Sequence, residues 1–86
     1  LVTRVVDGDL LAEAMGIAHE LADAATPALG ATRRLLLDGA TASFDTQLDA
    51  EARSIAALSR TPEGKEGVAA FATRRAPDFT GVRPNA

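Results

Sequence analysis

The side chains able to do chemistry are few, and their types and spacing point to binding rather than to bond-making. His19 is the single histidine of the 86-residue chain. It sits on the polar side of its segment and reads as a solvent-edge residue. There is no Cys, so neither a disulfide nor a thiolate metal site can form. Carboxylates used as an acid and base pair need burial to push their pKa values apart. The acids here mostly face away from the apolar stripes and read as solubilising charge. No phosphate-binding glycine loop, zinc pattern, EF-hand or serine-nucleophile elbow is present. Two cationic features remain. Arg33-Arg34 lies late in a helical segment, where cations complement the macrodipole. Phe71 and Arg74 are three apart and neighbours on a helix.

Charge is unevenly spread around these groups. Residues 1–59 carry nine acidic and four basic side chains, a net of −5, whereas residues 60–86 carry three acidic and five basic, a net of +2. The positive end suits a small phosphorylated ligand, or is simply a solvated basic end. A general nucleic-acid binder would be basic over a whole face and carry aromatic platforms. This chain has no Tyr or Trp, so no nucleic-acid partner is expected.

The elements that position these groups read as helices. After an apolar opening, Leu1 to Val6, that reads as a short strand, Asp7-Gly8-Asp9 makes a turn and Asp9 caps a helix from Leu10. Leu10, Leu11, Ala14, Met15, Ile17, Ala18, Leu21, Ala22 and Ala25 fill one half of its wheel, the clearest amphipathic pattern in the chain. Thr26-Pro27 starts a second helix, running to about Asp38 with Gly39 as terminator. Ser43 caps a third from Phe44 to about Ser59. Its stripe is Phe44, Leu48, Ala52, Ile55 and Ala56, with Asp49 and Arg53 paired on the opposite face and Glu51 placed to meet a cation from elsewhere. Thr61-Pro62 starts a fourth, running to about Arg75 and ended by Pro77. Gly64 and Gly67 weaken that helix, which suggests close approach of another backbone or a ligand. Residues 77–86 read as a tail anchored by Phe79.

The length allows one small domain. Nineteen of the apolar residues are Ala, so the core is small and the fold gains from a partner surface. No apolar run approaches a membrane span, and no signal peptide is visible, so a soluble cytoplasmic protein is expected. The chain begins at Leu1 rather than Met, and more protein is expected before it.

The stretch Glu66-Gly67-Val68-Ala69-Ala70-Phe71, followed by Arg74-Arg75-Ala76-Pro77-Asp78-Phe79-Thr80-Gly81, resembles the C-terminal signature of the crotonase superfamily, the enoyl-CoA hydratases and isomerases. Leu1 to Val6 is similar to the strand that leaves the core domain of that family. Ala31-Thr32-Arg33-Arg34-Leu35-Leu36 is similar to its second-helix segment. The resemblance covers the whole chain in order. It implies an all-α C-terminal helical domain, with residues 1–6 ending a core-domain strand, 9–76 forming a helical trimerisation domain and 77–86 a tail. It also implies a homo-trimer or dimer of trimers acting on acyl-CoA, with coenzyme A entering as part of the substrate and no separate cofactor or metal. The family's oxyanion hole and catalytic carboxylates have no counterpart in this segment, so no catalytic residue is assigned and the reaction type stays open between hydration, isomerisation and related chemistry. The CoA-binding positions that carry over are Phe71 and Arg74. The ring would stack on adenine and the guanidinium would fork onto phosphate, although the family usually has Lys where Arg74 stands. As residues alone, Phe71 also fits a core position and Arg74 a surface charge. The competing reading of the whole chain is a free-standing helical interaction module without catalysis.

Overall fold

A computed structural model describes residues 2–84. Four helices follow one another: α1 (Leu10–Asp23), α2 (Thr26–Gly39), α3 (Phe44–Leu58) and α4 (Pro62–Ala72). Three of the four starts are set by the expected side chains. The Asp9 carboxylate accepts from the Ala12 amide, the Ser43 hydroxyl from Thr46, and the Thr61 hydroxyl from Gly64. Each satisfies an amide that the first turn leaves without a carbonyl partner. Gly8 takes the turn before α1 with φ 126°, a conformation open to a residue without a Cβ.

Four expectations need correction. Residues 2–6 form no strand, because no neighbouring segment within the chain offers them a ladder. Thr26 is not the cap of α2 but part of the helix; Ala25 holds the cap position without a side-chain bond, and Pro27, having no N–H, needs none. Gly39 does not end α2 through a left-handed turn. It is helical, and its missing side chain leaves room for Gln47, whose amide would lie 3.1 Å from a Cβ there. Gln47 Nε2 uses that room to donate to the Leu35 carbonyl at 3.2 Å and to Glu51 Oε1 at 3.2 Å. Finally, α4 stops at Ala72, three residues before the expected end.

Packing is open. Helix α2 lies against α3 and, less closely, against α1. Among the described residues the buried apolar side chains are Ala31 and Ala70, while Leu10, Leu11, Met15, Leu21, Phe44 and Ile55 stay exposed. The chain exposes 7035 Å², against about 4,800 Å² for a compact monomer of its mass. Its radius of gyration is 16.0 Å, against about 12 Å for a compact domain of this length. The excess surface is on the scale of an interface rather than of a solitary bundle.

The joint between α3 and α4 is the tightest part of the molecule. A Cβ on Gly64 would overlap the Leu58 carbonyl oxygen, so the close backbone approach expected of the α4 glycines is real at this position. Thr61 donates to the same carbonyl at 2.6 Å. Gly67 has ordinary contact with the Phe79 ring, at 3.6 Å from its notional Cβ. The tail is therefore anchored by Phe79 as expected, but also by Arg83. Arg83 Nη1 donates to the Ala22 carbonyl at 2.9 Å and Nη2 to the Ala24 carbonyl. Helix α1 has no basic residue in its last turn. Arg83 supplies the cation that its carbonyl end favours, from 61 residues away in sequence.

Candidate functional site

The C-terminal end of α4 is built from backbone first. The Arg74 amide donates to the Phe71 carbonyl at 3.2 Å and the Arg75 amide to the Ala70 carbonyl at 3.0 Å. These two bonds wrap the last turn back on itself and require a left-handed residue between helix and tail. Arg74 is that residue, with φ 55°. Glycine is the usual occupant, because a Cβ in this conformation meets the neighbouring carbonyl at a cost of about 1 kcal/mol. Arg74 is the single positive-φ residue other than glycine among those described.

Next to the turn lies an ion pair nine residues apart in sequence. Glu66 is 9% exposed, and both of its carboxylate oxygens face Arg75 Nη2, at 2.5 and 3.2 Å. Arg75 Nη1 also reaches the Ala76 carbonyl at 3.4 Å. A carboxylate taken out of water needs such a partner. The hydrogen bond that Arg75 donates to Glu66 raises the Arg75 pKa above its ordinary value, with smaller support from the charges of Glu66 and Asp78 against desolvation.

Phe71 and Arg74 are both exposed at this helix end, but α4 stops at Ala72 and Arg74 is left-handed, so the helical spacing that made them neighbours in the sequence does not extend to Arg74. Phe71 is 87% exposed, so it contributes nothing to the core, and its ring is free on the surface. Arg74 is exposed as well, and no acid pairs with it among the described residues. An exposed aromatic ring is able to stack a flat heterocycle, and an unpaired guanidinium is able to hold a phosphate. The resemblance singles out both residues as candidates. The sequence does not reveal Glu66 and Arg75 as a pair, because they straddle the helix end, where no helical period relates them.

A groove of about 300 Å³ lies on another side of α4, between the start of α2 and the tail, with Pro27, Leu58, Val68 and Phe79 among its walls. Glu63, 5% exposed, lines it. No cluster of three or more His, Cys, Asp or Glu side chains is placed to hold a metal ion among the described residues. Among those residues, no helix is long and apolar enough to cross a membrane.

No family model matches the chain. Among curated proteins, it is 37% identical over 82 residues to 1,2-epoxyphenylacetyl-CoA isomerase of Escherichia coli (strain K12), a match that takes in 94% of this chain and 31% of that relative. The chain thus spans about a third of the relative's length. That relative is a crotonase-superfamily member, and the four-helix architecture with no strand among the described residues fits the helical part of such an enzyme. The match supports reading the chain as a C-terminal helical segment related to crotonase-superfamily enzymes.

Proposed function

We propose that this chain is the C-terminal part of a cytoplasmic enzyme acting on acyl-CoA thioesters, in which it builds subunit contacts and closes the nucleotide end of the CoA site. The relative's name describes an isomerase of a CoA ester, and an isomerase is the reaction class we favour for the parent enzyme. In this reading the substrate carries its own CoA, no separate cofactor is needed, and the assembly is a trimer or a dimer of trimers. The exposed apolar faces of α1 and α3 support the assembly, since they leave far more surface open than a folded monomer of this size would.

The observation that carries the reading is Phe71, 87% exposed at the helix end beside Arg74. An isolated protein gains nothing by presenting a bare ring there, whereas adenine stacking uses it. The guanidinium then meets a CoA phosphate with a charge-assisted hydrogen bond, worth about tenfold in affinity. Calorimetric titration of the intact protein with CoA tests this. Phe71→Ala and Arg74→Ala are each expected to weaken binding about tenfold while leaving helicity unchanged. Sedimentation of the same protein should give a trimer or hexamer. A compact monomer indifferent to CoA would favour the helical interaction module instead.

A further inference from the structure

Arg74 sits in a conformation that arginine disfavours, and next to it a buried carboxylate, Glu66, pairs with the half-exposed guanidinium of Arg75. Arg74 takes φ 55° where glycine would be unstrained. Glu66, buried farther back along α4, grips Arg75, the very next residue, through one guanidinium nitrogen. A strained residue persists only where its surroundings over-determine it, and such positions gather at functional sites.

We propose that Glu66 is a positioning residue: by clamping Arg75 it forces the left-handed turn at Arg74 and so fixes the direction of the Arg74 side chain toward phosphate beside the Phe71 ring. The proposal rests on the reading of Arg74 as a CoA contact. Three observations join here. The Arg75 amide is tied to the Ala70 carbonyl at 3.0 Å, so the backbone on the far side of Arg74 is fixed at the same place where the Arg75 side chain is clamped. The Arg75 guanidinium also reaches the carbonyl of the next residue, Ala76, at 3.4 Å. Arg74 is left with the backbone of a cap glycine and the side chain of a phosphate binder. Pre-ordering it in this way removes part of the cost of immobilising a long flexible side chain when ligand arrives.

The test combines a structure and a thermodynamic cycle on the intact protein. In a crystal structure of the Glu66→Gln protein, residue 74 is expected to leave the left-handed region or to show more than one conformation. Should it stay near φ 55° in that variant, the clamp is refuted, whatever CoA does. Calorimetry with CoA then follows the ligand. Glu66→Gln should weaken binding about fivefold when Arg74 is present, and by less than about twofold in the Arg74→Ala background. Equal losses in both backgrounds would make Glu66 a general stabiliser and overturn the proposal. If Arg74→Ala alone leaves affinity unchanged, the CoA reading of Arg74 fails while the crystal structure still decides the clamp. Should Glu66→Gln not fold, Arg75→Lys keeps the charge but loses the planar fork, and the same structure and cycle are read on that variant.

Discussion

Helix α1 and helix α4 solve opposite problems. Helix α1 has the most regular apolar stripe of the chain, yet none of its residues is buried. Helix α4 contains two glycines and has no comparable stripe, yet it holds Glu63, Glu66 and Ala70, three of the four buried residues among those described. A regular stripe records a surface that a helix is made to cover, and that surface need not belong to the same stretch of chain. Small residues and a buried ion pair instead record a close local fit. In the proposed function the outward-facing helix would serve assembly, and the closely fitted one would carry the candidate ligand groups.

The comparison breaks first at Gly64. Its substitution by Ala places a methyl group into the Leu58 carbonyl oxygen, which backbone cannot vacate cheaply. Some of the penalty is offset because Ala is the better helix former by about 1 kcal/mol. A net loss of about 2 kcal/mol is expected, seen as a lower urea midpoint. If Gly64→Ala proves neutral, α4 is not the close-fitted region. A smaller effect of opposite sign is expected at Arg74. Replacement by Gly relieves the left-handed strain and should stabilise the fold by about 1 kcal/mol, while CoA affinity falls. Thermal melting and calorimetry on the same variant read the two effects separately. Stability and binding moving in the same direction would contradict the division of labour at this helix end.

How much of this is legible in the sequence follows from how local each cause is. Asp9, Ser43 and Thr61 bond amides three residues on, so three helix starts can be read from residue type alone. The end of α4 cannot be read that way. The residue in the left-handed position is Arg74 rather than Gly, and the cause, Glu66 gripping Arg75, spans the helix boundary. Gly39 misleads for the same kind of reason, since its role is to admit Gln47 from the next helix. The link from Arg83 to the end of α1 joins distant parts of the chain and leaves no local mark. For the site, Phe71 and Arg74 are identified by resemblance, whereas the pair that holds them is visible only in three dimensions.

The smallest effect is expected in the helix with the strongest pattern, and it separates the two regions most cleanly. Leu11 is 72% exposed on α1. Leu11→Ser on the 86-residue chain removes little buried area and lowers helix propensity slightly, so stability should change by no more than about 0.5 kcal/mol. Burial of a leucine against a partner surface is worth about 1.5–3 kcal/mol. If α1 is covered in the intact protein, the same substitution there should loosen the assembly, seen as a lighter sedimenting species at low concentration. The chain alone would register almost nothing. A loss on the isolated chain as large as that of Gly64→Ala would mean that α1 is already packed within these residues, and its stripe would then be a core face rather than a docking face.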